Sequence, residues 1–161
     1  MYKRQLNILN TNLFSYLNQQ KFISLLLLQY LPDQNKITYS SAGHEKILLY
    51  KKQPSQIVPE IETIKSGGII LGMIENISDF LEEKFLPLDR GDKILLYTDG
   101  ATEARNPHEE LFGLERLIES FQKHAHLPIK DVIQNVYMDI QKFISVRDQY
   151  DDITLVGIEK L

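Results

Sequence analysis

Three observations on the sequence predict an α+β protein. Apolar residues recur at spacings of three and four near the N-terminus and again beyond Gly100, the mark of amphipathic helices. Between these stretches lie short apolar runs punctuated by Gly, Pro, Asn and Asp, the mark of strands and turns. A last apolar run, Ile153 to Ile158, follows the helical stretch and predicts a closing strand.

At 161 residues the chain is long enough for a sizeable core, and it is read as one domain, 1–161. Apolar residues make up 43% and charged residues 25%, ordinary values for a globular protein. The net charge of −4 argues against a partner made of nucleic acid, which needs a basic patch. Lys3-Arg4 and Lys51-Lys52 are the only adjacent basic pairs. The absence of Cys excludes disulfides, thiol catalysis and thiolate metal sites, and fits a reducing compartment. Leu25 to Leu28 is too short for a membrane span of about 20 residues. Met1-Tyr2-Lys3-Arg4 leads into polar Gln5 and Asn7, unlike a signal peptide. A cytoplasmic protein with neither membrane nor nucleic-acid contacts is expected.

In chain order, Leu6, Leu9, Leu13, Phe14 and Leu17 form one helical face. They predict a helix from about Lys3 to Asn18, with Asn7, Asn10, Asn12 and Asn18 mostly off that face and Asn18-Gln19-Gln20 loosening its end. Phe22 to Leu31 is a dense apolar run, expected as a strand buried on both sides. Pro32-Asp33-Gln34-Asn35 has turn chemistry throughout, and Lys36 to Ser41 alternates, so a β-hairpin is predicted. Ala42-Gly43-His44 closes its second strand, and Ile47 to Tyr50 starts a third. From Lys51 to Lys65, with Pro54 and Pro59, only short extended pieces are expected. Gly67, Gly68 and Gly72 frame Ile69-Ile70-Leu71, a pattern of tight turns or close backbone approach. Phe80 to Leu86 alternates loosely up to Pro87, and Asp89-Arg90-Gly91-Asp92 is a turn. A strand from Ile94 to Tyr97 then ends abruptly in Thr98-Asp99-Gly100. Leu114, Leu117, Ile118 and Phe121 predict a helix, and Pro128 opens another. The apolar stripe of that helix is Ile129, Val132, Ile133, Val136, Tyr137, Ile140 and Ile144, with Asp131 and Asp139 solvated off it.

Three places are candidates for chemistry: Asp99 with Gly100, the pair Asp151-Asp152, and Gly43-His44. Each has a plain structural reading as well. Asp-Gly after a strand is ordinarily a turn, paired carboxylates before a strand are ordinarily solvated, and a lone His is ordinarily a surface or capping group. A carboxylate at the rim of a core needs a partner, which water, a helix N-terminus or a metal can supply. If the strands ending at Asp99 and beginning at Asp151 are antiparallel neighbours, the two carboxylates meet at one sheet edge. They then repel, and one protonates unless a cation sits between them. With no Cys and few His the ligands are oxygens, which suit Mg²⁺ or Mn²⁺. Such an ion activates water and neutralises phosphoryl charge, so no protein nucleophile is required.

Five segments carry a family resemblance in their order and spacing. They are Tyr39-Ser40-Ser41-Ala42-Gly43-His44, Leu71-Gly72, the stretch from Gly91 to Ala104, Phe112-Gly113, and Asp151-Asp152-Ile153-Thr154-Leu155-Val156. The chain resembles the SpoIIE/RsbU-type branch of the PPM (PP2C-like) serine/threonine phosphatases. The resemblance implies a PP2C-like sandwich of two antiparallel β-sheets flanked by helices, with a metal centre at one edge. It implies Asp99 and Asp151 as ligands of one Mn²⁺ or Mg²⁺, with Gly100 and Asp152 beside them shaping the site. Hydrolysis of phosphoserine or phosphothreonine by metal-activated water is the implied reaction. A phosphorylated regulatory protein, of the kind that antagonises anti-sigma factors, is the implied substrate. The chain departs from the family in one respect. Members carry upstream a Gly-Asp-x-x-Asp strand and an Asp-x-x-Gly-x-Gly strand, which supply the Asp that bridges two metals. This sequence contains neither, so it is expected to be N-terminally truncated, the C-terminal two-thirds or so of a catalytic domain, binding metal weakly. The alternative reading is a catalytically inactive phosphatase-fold module that binds a protein partner. Exposed sheet edges would favour a homodimer. The motif around His44 matches the family, but its position compels no chemical role.

Overall fold

The computed structural model describes residues 2–17, 21–52, 60–145 and 151–161. These fall into two compact units, one of residues 1–44 and 65–88, the other of residues 45–64 and 89–161.

In the first unit helix α1, Tyr2–Leu17, precedes a sheet of β1 (Leu25–Leu31), β2 (Lys36–Ala42) and β5 (Lys84–Pro87), in the order β1-β2-β5. The predicted hairpin is present. β1 and β2 pair antiparallel from Leu25↔Ala42 to Leu31↔Lys36. A 3₁₀ turn over Pro32–Gln34 joins them and ends at Asn35 in the left-handed region, which Asn tolerates. The buried-strand expectation for Phe22 to Leu31 is corrected. β1 is an edge strand, so Leu25 to Leu28 are only half-buried, while Gln29 and Tyr30 are exposed. Ile23 lies outside the strand and bridges Leu71.

A second correction concerns Asn10. It is fully buried on the same helical face as Leu6, four residues earlier. Its side-chain oxygen accepts the Gly72 N–H at 2.8 Å, and its amide donates to the carbonyls of Ile74 and Glu75, both at 2.9 Å. Burial of that amide is tolerated because it satisfies turn backbone that no ladder reaches. Leu9, expected on the buried face, is exposed instead. Leu6, Ala42, Leu71, Ile77 and Leu81 form this unit's core. Close approach explains Gly68. A Cβ on Gly68 would overlap the Ser41 carbonyl oxygen, and its φ of +79° suits glycine alone. Of the loosely alternating stretch from Phe80 to Leu86 only the end is strand, in β5, and Ser78–Phe80 turns as a 3₁₀ helix beforehand.

The second unit builds a sheet of β3 (Ile47–Tyr50), β4 (Ile61–Ile64), β6 (Lys93–Tyr97) and β7 (Leu155–Glu159), in the order β4-β3-β6-β7, with every pairing antiparallel. β4 is the short extended piece expected before Lys65. Pro54 and Pro59, like Asn18-Gln19-Gln20, lie outside the described residues. Helices α2 (Asp99–Thr102), α3 (Gly113–His124) and α4 (Ile129–Ile144) lie between β6 and β7 in the chain. Leu117 and Phe121 of α3, with Val132, Val136, Ile140 and Ile144 of α4, bury their apolar stripes with Leu48, Leu95 and Tyr97 of the sheet. Tyr137, predicted within the α4 stripe, is exposed, because it lies about 100° around the helix from Val136.

β6 is buried along its whole length, and it has a charge at its first residue. Lys93, 5% exposed, holds its ammonium 3.2 Å from Glu159 and over the Tyr50 ring. Glu159 also accepts the Ile129 N–H in the first turn of α4. In the turn before β6, Asp92 is 1% exposed. It accepts from Lys51 Nζ at 2.6 Å, Lys52 N at 2.9 Å and Asp89 N at 2.8 Å. Asp139 corrects a further expectation. It is not simply solvated, because Ser120 Oγ, His124 Nε2 and Lys123 Nζ surround one of its oxygens at 3.0, 3.0 and 3.4 Å.

Candidate metal centre

The site is built where the buried strand β6 runs out. Thr98 is still extended, and Asp99 opens the short helix α2, with Glu103 N donating to Asp99 O at 2.7 Å. The Asp-Gly step is therefore a strand-to-helix junction, and not the hairpin turn that Asp-Gly ordinarily marks. Asp99 is exposed, and its Oδ1 accepts the Gly100 N–H at 2.9 Å.

The condition set by the sequence holds: β6 and β7 are antiparallel neighbours, with Tyr97 opposite Leu155. β7 begins two residues later than the predicted start at Ile153, yet the pairing continues past the ladder by other means. Thr98 N donates to Thr154 O at 3.1 Å. The Thr98 hydroxyl accepts the Thr154 N–H at 3.0 Å and donates to Asp152 O at 3.2 Å. Gly100 completes the contact from the other side. A Cβ there would collide with the Asp152 carbonyl oxygen, at 2.9 Å from its carbon. The segments that carry Asp99 and Asp151 thus lie side by side at one end of the sheet.

Asp151 and Asp152 are both exposed, and Asp151 Oδ1 accepts the Asp152 N–H at 2.7 Å. Asp152 enters the junction through its backbone carbonyl. His44 belongs to the other unit, where its N–H donates to Ser41 Oγ and its carbonyl accepts from Ser66 Oγ. Burial, followed by the Glu45 carboxylate, pushes the Tyr97 hydroxyl up to about 12, so it stays protonated at neutral pH.

The donor chemistry fits a hard divalent cation: the Asp99 and Asp151 carboxylates offer oxygen at a solvent-facing rim, where the ion can keep its waters. Among the described residues, no group of three His, Asp or Glu side chains converges. Thr98 was not singled out from the sequence. Its signal was a hydroxyl residue at the last extended position before the junction, which reads equally as an ordinary helix cap.

Comparison with known proteins follows the same line. The sequence matches the family described as Stage II sporulation protein E (SpoIIE) over residues 2–160. It is 31% identical over 124 residues to Protein IcfG of Synechocystis sp., a match that covers 76% of this chain and 18% of that protein. It is 29% identical over 142 residues to Phosphoserine phosphatase RsbU of Bacillus subtilis, covering 86% of this chain and 39% of that one. The chain therefore spans well under half the length of either relative. Among solved structures, the SiaA-PP2C domain of Pseudomonas aeruginosa superposes with a TM-score of 0.72 at 20% identity, covering 97% of this chain and 58% of that one. The Mn-presoaked phosphatase domain of SpoIIE from Bacillus subtilis gives 0.58 at 15% identity, covering 85% and 56%. These two likenesses are of fold, and the fold they share is the one expected: antiparallel sheets with flanking helices.

Proposed function

Because this chain belongs to the SpoIIE family, we propose that it is a metal-dependent protein serine/threonine phosphatase domain acting on a phosphorylated regulatory protein. The observation that carries this reading is the antiparallel pairing of β6 with β7, which sets the Asp99 and Asp151 segments side by side. A relative named as a phosphoserine phosphatase, and a structural neighbour soaked with Mn, support the substrate class and the metal.

In this reading Asp99 and Asp151 hold Mn²⁺ or Mg²⁺ through their carboxylates. Gly100 lets the two segments come into contact, and the Asp152 carbonyl anchors the second through the Thr98 hydroxyl. A bound divalent ion supplies neutralisation of the phosphoryl charge and a more acidic water. The chain's own residues orient and bind. No protein nucleophile is needed. The regulatory substrate is an antagonist of an anti-sigma factor or a protein like it, met in the cytoplasm, and residues 1–161 act as one phosphatase domain, as a monomer or a homodimer.

The test is Asp99→Asn in the protein encoded by the full reading frame around these residues, assayed on an aryl phosphate with Mn²⁺. Activity is expected to fall at least about 100-fold, since a carboxylate ligand is removed from the ion that neutralises the phosphoryl group. Hydrolysis that survives Asp99→Asn undiminished overturns the assignment. Capture of a phosphoprotein without any turnover by the wild type would instead favour an inactive binding module.

A further inference from the structure

How the segments carrying two carboxylates are held in the absence of an ion decides how readily an ion is taken up between them. The ladder between β6 and β7 stops at Tyr97↔Leu155, before either carboxylate is reached. Beyond it, the described contacts between the two segments converge on Thr98. Its backbone N–H donates to Thr154 O, its hydroxyl accepts from Thr154 N, and the same hydroxyl donates to Asp152 O.

Thr98 is the residue immediately before Asp99, and Asp152 is the residue immediately after Asp151. The hydroxyl therefore ties together atoms one residue from each carboxylate. Gly100 lets the backbones close to contact, but it attracts nothing, since it contributes no side chain. Thr98 supplies three hydrogen bonds across this part of the junction. The residue suits the task. A β-branched side chain is stiff in extended backbone, so the hydroxyl is presented without a large loss of rotamer freedom.

We propose that Thr98 is a positioning residue, whose hydroxyl sets the spacing of the Asp99 and Asp151 segments and so preorganises them for a divalent cation. This inference rests on the metal reading above and adds to it a group that touches no ion itself. Partners that orient metal ligands commonly carry about 10- to 100-fold of the affinity, although they lie outside the coordination sphere.

The experiment is a Mn²⁺ titration followed by the electron paramagnetic resonance of unbound Mn²⁺, on the same full-length protein. It compares wild type with Thr98→Val, Thr98→Ala, Thr98→Ser and Asp99→Asn. Valine keeps the shape and branching of threonine while removing both hydroxyl bonds. Alanine removes the same hydroxyl independently, so a folding defect peculiar to valine does not decide the result. Affinity is expected to fall about 10-fold or more in the valine and alanine variants and to stay within about threefold of wild type in Thr98→Ser, which keeps the hydroxyl. Amide exchange at Thr154 should quicken in the first two variants alone. Wild-type affinity in both Thr98→Val and Thr98→Ala overturns the inference, as does a serine variant as weak as valine. A wild type that takes up no Mn²⁺, or an Asp99→Asn variant that binds as well as wild type, overturns the metal reading itself and this inference with it.

Discussion

At the scale of single residues, carboxylates with similar sequence surroundings have taken opposite roles. Asp92 and Asp99 both sit beside a glycine at the ends of the same strand, yet Asp92 is almost wholly buried and Asp99 is exposed. Three donors account for the burial of Asp92: one lysine ammonium and two backbone N–H groups. Removing its charge leaves Lys51 facing an amide at 2.6 Å, with the exposed Asp89 carboxylate at 3.6 Å as a more distant acceptor, and disturbs the two backbone donors. Asp92→Asn is therefore expected to destabilise the protein by about 2–4 kcal/mol, measured by urea denaturation. The sequence placed Asp92 in a turn but carried no sign of its partners, because Lys51 and Lys52 lie some forty positions away and reach it only through the pairing of β3 with β6. Asp99 was legible as a candidate because its family motif is local. Thr98 was not, since its importance lies in bonds to Asp152 and Thr154.

At the scale of elements, periodicity located both long helices of the second unit, although α3 runs three residues beyond Phe121 to His124, since one buried face is enough to produce an apolar stripe. What it misread were polar residues drawn inward. Asp139 on α4 joins that helix to α3 through Ser120, Lys123 and His124. Burial pushes the Asp139 carboxyl up, but the hydrogen bonds from His124, Ser120 and Lys123 outweigh it and hold the group below its ordinary value. A carboxylate whose folded value is depressed contributes stability above its unfolded value and loses it as pH falls through the folded one. The urea midpoint of wild type should therefore exceed that of Asp139→Asn at pH 5. The difference should shrink as pH falls through 3.8, the ordinary value, and below. A difference that grows on acidification would contradict this account of the α3–α4 contact.

At the scale of the whole molecule, two compact units each carry an antiparallel sheet and a core of their own. The second core is the larger, centred on α3, α4 and the sheet residues Leu48, Leu95 and Tyr97. Phe121 is fully buried within it. Phe121→Ala removes a large apolar volume that rigid neighbours cannot refill, and is expected to cost about 3–5 kcal/mol in equilibrium unfolding. The family motifs are spread across both units, with Ala42-Gly43-His44 and Leu71-Gly72 in the first and the remaining segments in the second. That distribution let the sequence indicate the fold even where individual strand limits were misjudged.

By itself the sequence determined the α+β class, the three long helices, the hairpin at Pro32–Asn35, the family, and Asp99 and Asp151 as the carboxylates to watch. These depend on local chemistry: apolar period, turn residues and short motifs in order. Only the tertiary structure decided that β1 lies at a sheet edge, that Asn10 and Asp92 are buried, and that a threonine hydroxyl joins the two acidic segments. Each of those turns on which distant backbone atom lies within hydrogen-bonding reach, and strand order, more than residue type, sets that distance.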